Sequence, residues 1–244
     1  MKSYSSSRKT GFTLIETVIA IGVLAVLLTG FMMVFGPAAA GIRRSLNVQE
    51  ADRLASTIEQ ELVTLRSGSN SATMKTGFAK AYDWIRKSNT ANDAILVYQY
   101  RGRFSKPMRV DGTPEPETDI KNKLPGKDYV LQTMVRRKSD SLFLDDLKAV
   151  DGGVYVVKCT QLVFSGGQLK PGNPGAIVDP KGTSGSGGSS SSADDYPEAV
   201  IAFSADFYAM PSRSASYFSS GGAFSKTFTS LKKPVFTRNL AVRR

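Results

Sequence analysis

The first pattern in the chain is a long uncharged stretch close to its beginning. Residues 17–40 contain no charged side chain, and three basic residues, Lys2, Arg8 and Lys9, precede them. About 20 apolar residues in a helix, rising roughly 1.5 Å each, cross the hydrocarbon core of a bilayer. The pattern therefore predicts one membrane-spanning helix over residues 12–40. The positive-inside tendency places the basic leader in the cytoplasm and the rest of the chain outside it.

Beyond the anchor, the hydrophobic pattern becomes one-sided. Over residues 41–66, apolar residues recur at spacings of three and four, which predicts that the helix continues with one face turned toward a core. Pro37 removes a backbone donor, so a kink is expected near residues 33–37. Residues 72–88 predict a second, shorter helix.

From about residue 94, the hydrophobic period changes from that of a helix to that of strands. β-Branched and aromatic residues alternate with polar ones in several segments, which is typical of strands in a half-buried sheet. Five such segments behind a helix predict an α+β fold, with an antiparallel sheet of about five strands packed on the apolar stripe of the long helix. Residues 141–150 predict either a short helix or a strand. The five predicted strands are 94–101, 129–138, 154–164, 199–210 and 235–241.

One segment interrupts the strand pattern. Residues 165–197 are rich in glycine and serine, a composition that predicts a flexible insertion. Because strands resume after it, we interpret it as a loop within one exported domain, residues 41–244, and not as a boundary between two domains.

A single carboxylate, Glu16, stands at the edge of the apolar stretch. It follows Gly11 and Phe12 closely, and deep in a membrane such a group would cost about 2.5 to 3.5 kcal/mol. Two alternative interpretations of the apolar stretch give the Glu16 carboxylate no role. One is a plain signal anchor, and the other is a secretory signal that is cut within the small residues 38–41. The apolar stretch is longer than the roughly 7 to 15 residues of a secretory core. An unpaired carboxylate at this place needs a partner.

The sequence from Gly11 to Glu16, with the basic leader before it and the apolar run after it, resembles the processing site of type IV prepilins and of type II secretion pseudopilins. The resemblance covers about the first 55 residues. It implies a leader of residues 1–11 that a prepilin peptidase removes after Gly11, and N-methylation of the new terminus, Phe12. It also implies that Glu16 pairs with the freed amine of a neighbouring subunit.

The same resemblance implies where the protein works and with what. Its members sit in the inner membrane with one pass and a domain outside the cytoplasm, until an assembly platform and its ATPase move them into a filament of pilin or pseudopilin subunits. The size of the chain and its lack of a disulfide favour a minor subunit over a major one. The alternative of an exported or membrane-anchored domain with another activity stays open at this point.

The charge balance of the chain suggests a second function. Lys and Arg number 32 against 21 Asp and Glu, and basic balances are common in proteins that bind nucleic acid. A minor pilin of a DNA-uptake fibre is therefore the second hypothesis. Its candidate contact residues are the small basic clusters Arg136, Arg137, Lys138, Arg243 and Arg244.

Side chains that carry catalytic chemistry are scarce. The chain has no histidine, which excludes Ser-His-Asp and Cys-His nucleophile systems and histidine-bound zinc. Its one cysteine, Cys159, lies in a predicted strand, and we interpret it as a buried residue. No cofactor is predicted, and no enzymatic activity. Four acidic residues are candidates for a calcium site, although their spacing matches no known motif: Asp179, Asp194, Asp195 and Glu198.

Overall fold

A computed structural model describes residues 13–67, 74–104, 107–180 and 192–244. The chain divides into two compact units, Met1–Leu46 and Asn47–Arg244. Helix α1, Leu14–Val63, begins in the first unit and ends in the second.

In the first unit, α1 exposes its whole surface. Every residue from Leu14 to Leu46 is exposed, apolar side chains included, and Pro37 lies inside the helix without ending it. Among the described residues, α1 is the helix that is long and apolar enough to cross a membrane. An apolar surface with no protein partner is what a bilayer, or the packed centre of an assembly, would cover.

In the second unit, α1 becomes the amphipathic helix that the sequence predicted. A second helix, α2 (Gly77–Lys87), starts at the N-cap Thr76, whose side chain accepts a hydrogen bond from Ala79 N. Both helices bury apolar residues in one core cluster with the sheet. The α1 residues in that cluster are Ala51, Leu54, Ala55, Ile58 and Leu62.

The sheet is antiparallel throughout, as predicted. The strands are β1 (Ile95–Arg103), β2 (Glu115–Pro116), β3 (Val130–Arg137), β4 (Val150–Ser165), β5 (Gln168–Pro171), β6 (Val200–Ala209) and β7 (Phe236–Arg243). Strand β1 lies between β3 and β4, then β4 pairs with β6, and β6 with β7. Two short strands extend the sheet, with β2 on the end of β1 and β5 on the end of β4.

The sheet is buried on both faces. In β1, Ile95 and Val97 pack in the cluster with α1 and α2, whereas Leu96 and Tyr98 pack in a second cluster on the opposite face. Short helices cover that second face: α3 (Phe143–Asp146), α4 (Ala215–Phe218) and α5 (Phe224–Ser230), with a 3-10 turn at Leu147–Ala149. The sequence predicted the α+β class and the five main strands, but not this third layer.

The predicted flexible insertion is partly ordered structure. Strand β5 lies inside it, and Ile177 and Tyr196 are buried in the core cluster with α1 and α2. The Gln161 side chain fixes this segment, because it both donates to Val178 O at 2.7 Å and accepts from Val178 N at 2.8 Å. The serine- and glycine-rich residues 181–191 lie outside the described residues.

Candidate assembly site at the start of the helix

Glu16 and Thr13 form a capping box at the start of α1. The Glu16 carboxylate accepts hydrogen bonds from Thr13 N at 2.9 Å and from Thr13 Oγ1 at 2.7 Å. In return, Glu16 N donates to Thr13 Oγ1 at 3.3 Å. This reciprocal pattern satisfies backbone donors that the first turn of a helix leaves without partners. Glu16 is therefore held by its own helix, at the boundary where the uncharged stretch begins.

This arrangement can be kept by a chain cut after Gly11. The Thr13 amide is joined to Phe12, and that peptide bond is not the one that such a cut would break. A carboxylate with two oxygens can accept more bonds than Thr13 supplies, so Glu16 retains acceptor capacity for a cation. Gly11 and Phe12 themselves lie outside the described residues, so their roles remain predictions.

Hydrogen bonds of one acidic side chain and one basic side chain fix the second half of α1 onto the globular unit. Near its start, the Glu50 carboxylate accepts from Gly153 N at 3.1 Å and from Tyr155 Oη at 2.7 Å. Near its end, the buried Lys80 side chain donates to the backbone oxygens of Glu61 and Thr64 and pairs with the Glu61 carboxylate at 2.9 Å. A cation at the C-terminal end of a helix satisfies its last carbonyls. Helix α1 is therefore held at both ends of the stretch that packs on the sheet.

Two of the basic residues proposed for nucleic-acid contact are buried, which corrects the prediction that they form a surface cluster. Successive residues of a strand point to opposite faces, so Arg136 and Arg137 enter different layers of the fold. Arg137 pairs with Asp83 at 2.7 Å and lies over the Trp84 ring, 5.1 Å from its centroid. Neither guanidinium is presented to a phosphate in solution.

Arg136 is the centre of a buried ionic cluster. It is 1% exposed and donates to Asp146 at 2.8 Å, to Asp140 at 3.1 Å and to Asp111 at 2.7 Å. The Tyr98 hydroxyl also donates to Asp146, at 2.6 Å. Burial alone would raise the pKa of the Asp111 carboxyl, but hydrogen bonds from Thr113 and Arg136 outweigh it and lower that pKa. The cluster ties β3 to α3 and to the loop after β1.

The other three basic candidates lie nearer the surface. Lys138 is half-buried over the Phe224 ring, and Arg243 is exposed at the end of β7. Arg244 is exposed, donates to Ala193 O and Tyr196 O, and lies over the Phe78 ring.

The cysteine and the acidic residues that the sequence offered for reactivity or metal binding lie in surroundings that do not favour either role. Cys159 is buried and its amide donates to Ser88 Oγ at 2.8 Å, and burial raises the pKa of its thiol to about 12. Such a thiol is inert compared with an exposed, ionised one. Within the described ranges, no group of three or more His, Cys, Asp or Glu side chains is placed to hold a metal ion, so the calcium hypothesis gains no support.

Comparison with known proteins identifies a family motif at the beginning of the chain. Residues 6–32 match the prokaryotic N-terminal methylation motif, which is typical of type IV pilins and pseudopilins. This chain carries a prepilin-type N-terminus. The match spans Gly11, Phe12, Thr13 and Glu16 and the first part of α1, and with the exposed apolar helix it assigns α1 as a single-pass membrane anchor. No match to a curated protein or to a solved structure was found.

The sequence reasoning missed Thr13, although the signal was present. A threonine followed three residues later by a glutamate, just before an apolar run, is the sequence signature of a capping box.

Proposed function

We propose that the protein is a minor subunit of a type IV pilus-like or type II secretion filament. On this proposal, a prepilin peptidase cuts the precursor after Gly11, and the new terminus Phe12 is methylated. The inner-membrane assembly platform then moves the anchor helix from the bilayer into the filament.

The single observation that carries the proposal is the methylation motif over residues 6–32, which runs into a helix whose apolar surface is exposed among the described residues. A helix that is exposed and apolar on every side suits two successive environments. The bilayer covers it before assembly, and neighbouring anchor helices cover it afterwards. The α+β unit then faces outward and carries whatever distinguishes this subunit from others.

On this proposal, Glu16 has two roles, one in the bilayer and one in the filament. In the bilayer, its contacts with Thr13 reduce the number of unsatisfied polar groups that a membrane makes costly. In the filament, the amine of Phe12 on an adjacent subunit supplies a counter-charge at the same carboxylate. A carboxylate that gains a cation only in the assembled state favours assembly over a free subunit.

A Gly11→Leu variant tests the processing step. A peptidase that cuts after a small residue should not accept the longer side chain, so we expect the full leader to stay attached and the protein to stay out of sheared filaments. Ser7→Leu is the matched control, because it adds a similar side chain to the leader away from the cut. The measurement is the intact mass of each variant from cells that contain the peptidase. A Gly11→Leu protein that still begins at Phe12 would contradict the proposal.

A further inference from the structure

A groove with three basic side chains lies at one end of the globular unit. It encloses about 530 Å³ and is lined by Arg101, Lys148, Arg213 and by two serines, Ser212 and Ser214, together with apolar residues. These residues come from three separate parts of the sequence, which the sheet brings together. Among the described residues, no carboxylate is part of the lining itself, although Asp151 and Asp145 each form an ion pair with one of its cations, Arg101 and Lys148.

The groove lies at the end of the unit where α1 enters it. Glu50, in the first turns of α1 within this unit, contacts Gly153 N, and Arg213 reaches the carbonyl of the adjacent Gly152 at 3.5 Å. On the other side, Arg53 of α1 donates to Gln99 Oε1 at 2.6 Å, two residues before Arg101 in β1. The opposite end of the unit is where Lys80 holds the last residues of α1.

The cations of the groove have unused binding capacity. Arg101 Nε is buried and has no hydrogen-bond partner among the described residues. Arg101 Nη1 forms a loose ion pair with Asp151 Oδ1 at 3.8 Å, a distance too long for a hydrogen bond. Lys148 pairs with Asp145 at 2.8 Å, but both side chains are more than half exposed, so this pair is weak. A guanidinium with free donors is suited to bind phosphate.

Chain connectivity limits how far the start of the globular unit can lie from the end of the uncharged stretch. Six residues, 41–46, separate the two, and in a helix they rise about 9 Å. The polar regions add about 10 to 15 Å to the whole bilayer, or about 5 to 8 Å in each leaflet, so a connection of this length extends only a little beyond the headgroups of one leaflet. Two of the six residues are Arg43 and Arg44, both exposed.

We propose that the groove formed by Arg101, Lys148 and Arg213 binds the phosphate of an anionic lipid headgroup while the subunit waits in the membrane. The two guanidinium groups and the ammonium contact the phosphate oxygens, and the serine hydroxyls donate to the headgroup. A phosphate ion free in solution has the same chemistry. Lipid phosphates, in contrast, are concentrated at the membrane surface that the anchor helix enters. The inference uses the membrane anchoring of the chain and does not depend on filament assembly.

The test measures hydrogen exchange in the full chain, purified in a nonionic detergent and titrated with phosphatidylglycerol. We expect added protection of the backbone amides at 145–152 and 211–214, with none from phosphatidylcholine and none from inorganic phosphate at the same concentration and ionic strength. Each cation removed should raise the lipid fraction at half-protection about fivefold. The triple variant Arg101→Gln, Lys148→Gln, Arg213→Gln should therefore lose the response over any practical range.

A matched control removes the same charge from the opposite end of the unit: Lys75→Gln, Lys170→Gln, Arg243→Gln, all exposed in the protein. Its midpoint should stay within about twofold of the unsubstituted chain, as should that of Arg101→Lys, Arg213→Lys, which keeps the charges. A normal response of the Arg101→Lys, Arg213→Lys variant would show that substitutions at these positions still allow the protein to fold. Equal loss in the control, equal protection by phosphate, or equal protection by phosphatidylcholine would each overturn the proposal.

Discussion

A Glu16→Val variant is expected to insert in the membrane, to lose its leader and to be almost absent from filaments. Valine removes a carboxylate that is unfavourable in the bilayer, so insertion is unharmed or improved. In the filament, the amine of Phe12 on the neighbouring subunit would lack its counter-charge, a defect that costs about 3 to 5 kcal/mol when both groups are buried. We expect at least a tenfold fall in the fraction of mature protein recovered in sheared filaments.

The capping box allows a sharper form of this experiment. Glutamine at position 16 still accepts from the Thr13 amide, as capping boxes with Gln do, but it carries no charge. If Glu16 acts through its charge, the Glu16→Gln protein should be excluded from filaments, like the Glu16→Val protein. The Glu16→Asp protein, which keeps the charge, should still assemble in part. Normal assembly of the glutamine variant would instead mean that the helix cap is the whole role of this residue.

Thr29→Val is the matched control for added hydrophobicity. Thr29 lies deeper in the same apolar stretch and bonds only the carbonyl of Ala25 in its own helix, at 2.8 Å. If a more apolar anchor were simply harder to extract from the bilayer, this variant would assemble poorly too. We expect its recovery in filaments to match that of the unsubstituted chain.

The largest expected effect on stability is that of Arg136→Met. Methionine removes a guanidinium that three buried carboxylates share. It deprives Asp111 of its ion pair at 2.7 Å, whereas Asp146 keeps a second ion pair, with Arg109 at 2.6 Å. Removing one partner of a buried ion pair costs about 3 to 5 kcal/mol, which is a large part of the stability of most domains. Denaturant unfolding of the full chain in detergent, followed by circular dichroism, measures the change.

The loss should also depend on pH, with a definite sign. In the unsubstituted chain the folded-state pKa of Asp111 is lowered, so its contribution is present at neutral pH and is lost as pH falls through the unfolded value near 4 toward the folded one. In the variant, Asp111 keeps its hydrogen bonds from Thr113 but loses the charge and hydrogen bond of Arg136, so its pKa is less strongly lowered and protonation costs less than in the unsubstituted chain. The difference in unfolding free energy between the two proteins should therefore shrink between pH 7 and pH 4.

Arg243→Met is the control for the loss of an arginine as such. Arg243 is exposed on the edge strand β7, and substitutions at such positions change stability by about 0.5 kcal/mol or less. An Arg136→Met protein as stable as this control would contradict the structural role that we assign to the cluster.

The sequence predicted well where a long periodic pattern decided the structure. The anchor helix follows from the uncharged run of residues 17–40. Its amphipathic continuation follows from spacings of three and four, and the five main strands follow from a spacing of two over seven or more residues. In β6, Ile201, Phe203, Ala205 and Phe207 share the buried face as their alternation predicted. The prepilin-type motif was recognisable because its residues are contiguous.

The parts that were missed depend on contacts distant in sequence. The basic run 136–138 suggested a surface cluster, but acidic residues from a loop and from α3 meet Arg136 in the folded chain. Residues 141–150 predicted either a short helix or a strand, and most of that segment is α3 and the 3-10 turn after it. Helix α4 was missed because its four residues are too few to show a helical period. Ile177 and Tyr196 stand in a segment whose overall composition predicts flexibility, and only the folded sheet provides the cavity that each side chain fills.

The intact mass of the protein purified from the membrane of its own cells tests the central claim most directly. If the chain is a prepilin, the mature protein begins at Phe12 and carries one added methyl group, and the leader of residues 1–11 is gone. A chain that keeps its leader would be a plain signal anchor. A mature protein that begins at Gly41 would be the product of an ordinary secretory signal, and either mass would contradict the account.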